Sequence, residues 1–284
     1  MIKTNKWIFN AAIGDAYGAA FEYSDPTPDR PNDLAKYYLN TKHNLGSGRY
    51  TDDTEMTTAV AEAMLEGPLT KESLAKWFVK AFQREKRIGY AGRFYDFLSV
   101  TDTGEEFLKN IKPHSDKSGA AMRGWICGLY KTPELSMEMA EIQAKLTHDT
   151  DGGIMSAKAA ALITHFFAYK CSKKSDLVDF LMAYVPANWN KKRTSPVGEQ
   201  GLDAVWASIE AIISHNKMSD ILKQCVNFGG DVDTVATIAL GSVANSSEIE
   251  QDLPIVLLTE LENKTWGQAY LNNLDSRLYD WTRS

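Results

Sequence analysis

The sequence has few cysteines, and their spacing suggests neither disulfides nor a metal site. There are three, they lie far apart, and no C-x-x-C pair occurs. Disulfide frameworks and zinc sites need closely spaced or paired cysteines, so the sequence predicts neither. The number and spacing of the cysteines are typical of reduced thiols in a cytoplasmic protein. The cysteines are Cys127, Cys171 and Cys225.

Long apolar runs and an excess of basic residues are also missing. No segment approaches the roughly 18 apolar residues that a membrane-spanning helix needs. Asp15 and Glu22 interrupt the apolar N-terminal region, which argues against a signal peptide. The formal net charge of -6 argues against general binding to nucleic acid or anionic membranes, because both need a basic surface. We therefore expect a cytoplasmic protein that binds neither.

Alternating runs of Val and Ile, which would predict strands, are almost absent, whereas helical spacing of apolar residues recurs along the chain. A length of 284 residues, 44% of them hydrophobic, is enough for one large domain with a substantial core. We find no internal repeat and no low-complexity segment. The sequence predicts an all-α fold, a single compact orthogonal helical bundle over residues 1–284.

Two short acidic stretches are the most informative part of the chain. Residues 51–54 are Thr-Asp-Asp-Thr, and residues 229–234 are Gly-Gly-Asp-Val-Asp-Thr. Apolar residues at helical spacing follow each stretch, so both should lie at helix N-termini, where Asp and Thr are common caps. One capping residue per helix is sufficient. The additional acids and hydroxyls therefore need another explanation.

A metal site is that explanation if the fold brings the two helix starts together. Four aspartates would then share one small volume, and their repulsion would raise their pKa values unless divalent cations neutralised it. Carboxylate and hydroxyl oxygens suit magnesium, manganese or calcium, whereas zinc usually recruits His or Cys. The alternative is an ordinary N-cap or a solvated acidic turn in each place. The side chains that offer such oxygens in the two stretches are Thr51, Asp52, Asp53, Thr54, Asp231, Asp233 and Thr234.

The first segment, from about residue 5 to residue 23, predicts a helix. Asp15, Gly18, Ala19 and Glu22 would share one of its faces. Small residues beside two acids suggest that another backbone approaches this face closely. A polar stripe facing solvent is the alternative.

Three further stretches could line a ligand cleft. Residues 89–96, which include Tyr90 and Asp96, mix glycines with aromatics and are typical of a turn with exposed rings. Residues 118–123 open a helix with small residues, and such a start can present free N–H groups to a phosphate. His148 lies in another polar helix start, whereas a core position is expected for His165. In each case simple packing or a plain connection is the alternative.

Five motifs, in this order, resemble the ADP-ribosylglycohydrolase family, which includes the enzyme that reactivates ADP-ribosylated dinitrogenase reductase. The resemblance runs from residue 5 to about residue 270. It implies an all-α hydrolase with two Mg²⁺ (or Mn²⁺) ions that removes ADP-ribose from an ADP-ribosylated protein and releases ADP-ribose. The motifs are residues 14–22 (Gly-Asp-Ala-Tyr-Gly to Glu), 51–56 (Thr-Asp-Asp-Thr-x-Met), 118–123 (Ser-Gly-Ala-Ala-Met-Arg), 146–148 (Leu-Thr-His) and 229–234.

The resemblance also implies roles for individual residues. One metal would be held by Thr51, Asp52 and Asp53, and the second by Asp231, Asp233 and Thr234, with Asp233 touching both. Glu22 would be a mobile metal ligand or a water-activating group. Either Glu22 or Asp231 could accept the proton of the attacking water. One wall of the site would hold the diphosphate and the adenosine half of the substrate. That wall would consist of Ser118, Gly119 and His148.

Two positions depart from the family pattern. Lys117 precedes Ser118 where glycine is commoner, and this change could alter phosphate contacts. After Gly241, residues 242–246 (Ser-Val-Ala-Asn-Ser) replace the usual small residues. The second change should affect packing only.

The preferred linkage is predicted to be arginine, from the resemblance to the dinitrogenase-reductase branch. A guanidinium leaving group is planar and cationic, so its pocket should offer aromatic faces and a carboxylate. Serine-linked or other O-linked ADP-ribose is the alternative. The residues expected to form the pocket are Tyr90, Phe94, Tyr95, Asp96 and Asp102.

Three other functions are compatible with parts of the sequence. Residues 231–234 resemble the Asp-x-Asp-x-Thr motif of haloacid-dehalogenase-type phosphatases, but that motif should follow a strand near the N-terminus, and its threonine comes one place later. A non-catalytic relative would have lost the metal acids, all of which are present. An immunity or regulatory protein would bind an ADP-ribosyltransferase toxin as its partner, and the sequence leaves this alternative open.

Overall fold

The structure is a computed structural model that describes residues 6–40, 46–193 and 195–284. Within those ranges, fourteen α-helices and two short 3-10 helices form the regular structure, accompanied by isolated β-bridges and no sheet. The prediction of an all-α orthogonal bundle is confirmed. Residue 5, the predicted start of the first helix, lies outside the described ranges. In the part of the chain that is described, no helix has both the length and the apolar character to cross a membrane.

The helices follow one another with short connections except around residues 24–50 and 185–200. The two 3-10 helices are Trp125–Leu129 and Lys174–Asp176. The α-helices are α1 (Trp7–Gly18), α2 (Asp52–Glu66), α3 (Lys71–Arg84), α4 (Gly92–Ser99), α5 (Gly104–Asn110), α6 (Gly119–Gly124), α7 (Pro133–Ala144), α8 (Asp151–Ala168), α9 (Leu177–Tyr184), α10 (Gly201–Ser214), α11 (Met218–Asn227), α12 (Val232–Val243), α13 (Ile255–Glu260) and α14 (Gln268–Arg283).

Helices α1 and α12 lie at the centre of the bundle. All twelve residues of each helix are buried. A helix that is apolar on every side must be enclosed, and here α2, α8, α10, α11 and α14 pack around the central pair. Because α1 and α12 carry the first and last sequence motifs, their packing fixes the relative position of those motifs.

Glycines allow α1 and α12 to approach to backbone contact. A Cβ atom at Gly14 would lie 2.6 Å from the carbonyl oxygen of Ala236, and one at Gly18 would lie 2.6 Å from the Cα atom of Asp233. Interiors are packed too densely to absorb such overlaps, so larger residues would push the helices apart. The close approach of another backbone is therefore confirmed. The alternative of a solvated stripe is wrong for Asp15, which is fully buried.

The first helix is shorter than the sequence suggested, and this changes the position of Glu22. Because α1 ends at Gly18 and residues 19–23 continue as turns, Glu22 does not share a helical face with Asp15. The N–H of Tyr23 donates to the carbonyl of Gly230 at 2.8 Å. This bond holds the turn that contains Glu22 against the loop that precedes α12.

Residues 89–96 also differ from the prediction of a turn with exposed rings. Helix α4 begins inside this stretch, and Tyr90 is buried, packed edge-on against Phe82 and tilted against Phe94. Aromatic rings gain more from such packing than from contact with water. Asp96 is exposed on α4.

The N-terminus of α1 is capped by a side chain of α14. Lys6 provides no side-chain cap, and Asp275 instead accepts hydrogen bonds from the N–H groups of Ile8 (2.8 Å) and Phe9 (3.0 Å). Asp275 is buried, so Asp275→Ala would leave two helix N–H groups without acceptors. We expect the free energy of unfolding, measured by urea denaturation, to fall by about 2–4 kcal/mol. Asp280→Ala, on the exposed side of the same helix, should change it by less than about 0.5 kcal/mol. Equal losses in the two variants would contradict this capping role.

Candidate active site

Asp15 orders the start of α2 from inside the protein. Its carboxylate accepts hydrogen bonds from the N–H and the hydroxyl of both Thr51 and Thr54, and the hydroxyl distances are 2.8 and 2.6 Å. These bonds satisfy backbone donors at the helix start and fix the turn that carries Asp52 and Asp53. Asp15 is therefore a positioning residue. The sequence placed it in a motif but assigned it no such role.

Two glycines shape the loop before α12. Gly229 and Gly230 have φ angles of 68° and 84°, a region that glycine adopts without strain. A Cβ atom at Gly230 would lie 2.0 Å from the carbonyl oxygen of Val197. Val197 donates its N–H to the carbonyl of Gly229 and accepts from the N–H of Asp231. The segment around Val197 thus holds the loop that presents Asp231 and Asp233.

Both helix starts open into one large cleft with a volume of about 1150 Å³. Four of the predicted site residues do not line it. The hydroxyl of Thr51 is bonded to Asp15 instead, Tyr95 lies outside the cleft, and Asp96 and Asp102 are exposed. The predicted residues that the fold brings together around the cleft are Glu22, Asp52, Asp53, Tyr90, Phe94, Ser118, Gly119, His148, Asp231, Asp233 and Thr234.

Asp52, Asp53, Asp231 and Asp233 form what we call the aspartate cluster. The side chain of Thr234 is hydrogen-bonded to Asp53 and to Asp231. Asp231 and Asp233 also share a hydrogen bond, which requires a proton on one of the two carboxyls. Burial raises the pKa of Asp231 to about 6. Burial also raises the pKa values of the other three carboxyls well above their usual range, and the charges of neighbouring carboxylates add to the increase. Either protons or cations must balance the charge of such a cluster.

The oxygen atoms of the aspartate cluster fit a hard cation. Oδ1 of Asp53 and Oδ1 of Asp233 are buried without a hydrogen-bond partner, which is rare for a carboxylate in a folded protein. Among the residues that the structure describes, no group of three or more His, Cys, Asp or Glu side chains is spaced to hold a metal by itself. Magnesium does not need such a group, because it retains water and commonly uses one or two protein carboxylates together with the substrate. The donors therefore fit a magnesium-type ion and not zinc.

A second loop holds Asp52 in place. Gly89 has a φ of 105°, and a Cβ atom there would lie 2.0 Å from Oδ1 of Asp52. The N–H of Asp52 donates to the carbonyl of Ile88 at 3.1 Å. Arg87 anchors this loop through a buried ion pair with Glu55 at 2.8 Å. Glycine is thus required at position 89 for close contact between the loop and the aspartate cluster.

Ser118, Gly119 and His148 form a wall of the cleft, which we call the His148 wall. The side chain of Ser118 is hydrogen-bonded to Asp231. A Cβ atom at Gly119 would lie 3.1 Å from Nε2 of His148, so only glycine leaves the imidazole in this position. Burial, and then the charge of Arg123, lower the pKa of His148 well below its usual range. The imidazole is therefore neutral at pH 7.

The residues that line the cleft without any sequence signal include Tyr23, Asp116 and Glu199. The carbonyl of Glu199 accepts from the N–H of Ser118 at 2.8 Å, and the carbonyl of Asp116 accepts from the N–H of Gly201 at 3.1 Å. These bonds join parts of the chain that are far apart in sequence. A local pattern could not have revealed them.

Comparisons with known proteins agree with this geometry. The chain matches the ADP-ribosylglycohydrolase family over residues 7–283. It is 24% identical over 316 residues to an uncharacterized protein of Archaeoglobus fulgidus, covering 98% of this chain and 96% of that protein. It is 22% identical over 344 residues to the ADP-ribosylhydrolase ARH3 of Xenopus tropicalis, covering 95% of this chain and 96% of that protein. A solved structure described as an ADP-ribosylglycohydrolase-related protein complex has a TM-score of 0.75 at 20% identity, with 98% of this chain and 96% of that chain covered.

The family match spans almost the whole chain, and the similarity to the solved structure shows that the fold is shared. The aspartate cluster and the His148 wall lie in the motifs on which the resemblance in sequence was based. The chain therefore belongs to the ADP-ribosylglycohydrolase family and is a hydrolase that removes ADP-ribose by cleaving a glycosyl bond.

Proposed function

We propose that this protein is a metal-dependent hydrolase that removes ADP-ribose from arginine side chains of ADP-ribosylated proteins. The observation that carries the proposal is the aspartate cluster, in which two helix starts distant in sequence place four buried carboxylates beside one cleft. A protein that only bound a partner would have no use for this arrangement, because unpaired buried carboxylates are costly.

The aspartate cluster would hold up to two Mg²⁺ or Mn²⁺ ions. Asp53 and Asp233 supply the unpaired oxygens, and Asp52, Asp231 and Thr234 supply further oxygen donors in the same cleft. When bound, divalent cations would neutralise the cluster and lower the pKa of water in the site.

The chain's own residues account for the remaining chemistry. Breaking the bond at C1″ of the ribose develops positive charge on the sugar, which the carboxylates at the start of α2 and α12 stabilise. Water adds to C1″ and loses a proton, and the departing guanidine takes up a proton. Glu22 and Asp231 both line the cleft, and either can accept the proton of the water.

The His148 wall would hold the diphosphate of the substrate. A neutral imidazole can donate one hydrogen bond to a phosphate oxygen without placing a full positive charge beside the aspartate cluster. The N–H of Gly119, the first residue of α6, adds a backbone donor to the same wall. Substrate binding thus uses neutral donors, while the acids remain available for the sugar.

The pocket for the arginine side chain differs from the one suggested by the sequence. Asp96 and Asp102 are exposed, and neither lines the cleft. Tyr23 and Glu199 do line it, and 46% of Tyr23 is exposed. Burial raises the pKa of the Tyr23 hydroxyl, and the charges of Asp231 and Glu199, which line the same cleft, add to the increase. A planar cation fits an aromatic face beside a carboxylate.

The test compares arginine-linked and serine-linked ADP-ribosyl peptides, with released ADP-ribose as the measured product. We expect faster hydrolysis of the arginine linkage, activity that EDTA removes and Mg²⁺ restores, and a fall in kcat/KM of about 10-fold in Tyr23→Leu and in Glu199→Gln. Asp96→Asn is the matched control and should retain full activity, since its side chain lies outside the cleft. Faster hydrolysis of the serine linkage would refute the arginine assignment. Activity that EDTA leaves unchanged would refute the metal.

A further inference from the structure

Arg123 is a buried cation beside the cleft without an acidic partner. Only 1% of it is exposed, and in the described part of the chain it forms no ion pair. Its three nitrogens donate to Oε1 of Gln143 (2.8 Å), the carbonyl of Gly119 (2.6 Å) and Oγ1 of Thr147 (2.6 Å). Burying a guanidinium among neutral acceptors is costly, so a role beyond packing is expected.

We propose that Arg123, acting through Thr147, holds His148 as the tautomer that carries its proton on Nε2, so that the imidazole is a fixed hydrogen-bond donor to the substrate. Arg123 is then a positioning residue for the His148 wall. That His148 contacts substrate rests on the proposed function, whereas the tautomer follows from the hydrogen bonds alone.

The direction of each bond follows from which atoms can donate. A guanidinium has no acceptor, so Thr147 must accept from Arg123. Oγ1 of Thr147 also lies 2.6 Å from Nδ1 of His148, and Thr147 is only 5% exposed. If Nδ1 of His148 carried a proton, Arg123 and His148 would both donate to Oγ1 of Thr147. The hydroxyl hydrogen of Thr147 would then be buried without an acceptor. That would cost about 1–3 kcal/mol. Thr147 therefore donates to Nδ1.

A neutral imidazole has one N–H group, and with Nδ1 accepting, that group must be on Nε2. The Nε2 edge of His148 lies against Gly119, and both residues line the cleft. The guanidinium of Arg123 binds Gly119 as well, so one buried side chain sets the position of two members of the His148 wall. Its charge also disfavours imidazolium, which agrees with the lowered pKa of His148.

The tautomer can be measured without substrate by NMR of protein labelled with ¹⁵N in its histidine rings, with the His148 signals assigned from a His148→Gln spectrum. In the parent protein at pH 7 we expect the proton on Nε2. Thr147→Val removes the donor to Nδ1 and should give a mixture of tautomers, whereas Thr147→Ser keeps the hydroxyl and should retain the parent tautomer. Arg123→Lys keeps the charge but cannot make all three hydrogen bonds of the guanidinium. It should therefore give a mixture of tautomers, as Thr147→Val does.

The kinetic readout uses ADP-ribose release by the same variants. We expect kcat/KM to fall about 10- to 100-fold in Thr147→Val and to be largely retained in Thr147→Ser. Thr164→Val is the matched control, because Thr164 is also buried and its hydroxyl lies 2.7 Å from Oγ of Ser242, and it should change neither the tautomer of His148 nor kcat/KM.

Three results would overturn the proposal: a proton on Nδ1 of His148 in the parent protein, an unchanged tautomer in Thr147→Val, or a changed tautomer with unchanged kcat/KM. An unchanged tautomer of His148 in a folded Arg123→Lys variant would show that Arg123 does not set the tautomer and has only a structural role. Since the NMR experiment contains no substrate, failure of the arginine linkage assignment would leave its outcome unaffected.

Discussion

Asp233→Asn should abolish the release of ADP-ribose, lowering kcat/KM by at least about 1000-fold, while the protein remains folded. Asp233 lies in the first turn of α12, is buried, and contributes one of the two unpaired carboxylate oxygens of the aspartate cluster. Asparagine keeps the shape of the side chain and removes its charge. The substitution should therefore lower the activity and leave the packing unchanged. Asp53→Asn, which removes the other unpaired oxygen, should give the same result.

The metal can be tested on these variants without an activity assay. In EDTA, removing one charge from a crowded buried cluster relieves repulsion, so Asp233→Asn should unfold at the same or a higher temperature than the parent. Mg²⁺ should raise the melting temperature of the parent by mass action and have little effect on the variant. Asp179→Asn, an exposed position on α9, should respond to Mg²⁺ as the parent does. A parent protein that shows no divalent-ion binding by calorimetry would refute the metal site.

The parts of the site that follow local rules could be predicted from the sequence. Thr51 caps α2, as its position before an apolar helical pattern indicated, and Asp231 directly precedes α12. In each stretch the polar residues directly precede an apolar helical pattern, so the acids could be placed at helix ends without knowledge of the fold. Their meeting in one cleft was only an expectation, because it depends on how α1, α2 and α12 pack.

The parts that depend on packing could not be predicted. Glycines and aromatics in residues 89–96 suggested an exposed turn, but Tyr90 is buried by packing against the rings of Phe82 and Phe94. The periodicity of the first helix placed Glu22 on the face of Asp15, but α1 ends at Gly18, where the backbone of α12 is in contact. Helix propensity and apolar periodicity describe one secondary-structure element at a time. The burial of Tyr90 and the end of α1 were decided by packing against neighbouring elements.

Asp15→Ala should destabilise the protein and inactivate it, although Asp15 does not line the cleft. Its carboxylate is the shared acceptor for four donors of Thr51 and Thr54, two of them backbone N–H groups at the start of α2. Leaving a buried donor without an acceptor costs about 1–3 kcal/mol. Burial raises the pKa of Asp15 to about 6, and the four hydrogen bonds limit that rise. Alanine would leave all four donors without an acceptor, and we expect a loss of about 3–5 kcal/mol in the free energy of unfolding.

The loss of activity should exceed what unfolding explains. Without Asp15 the turn at residues 51–54 has no fixed position, so the carboxylates of Asp52 and Asp53 are no longer held in the aspartate cluster. We expect kcat/KM to fall at least about 100-fold at a temperature where urea denaturation shows the variant to be folded. Asp15→Asn keeps one acceptor oxygen and should lie between the alanine variant and the parent in both measurements. Asp33→Ala, which removes an exposed carboxylate from the neighbouring loop, should leave both unchanged. A stable and fully active Asp15→Ala variant would show that the start of α2 holds its geometry without help from α1.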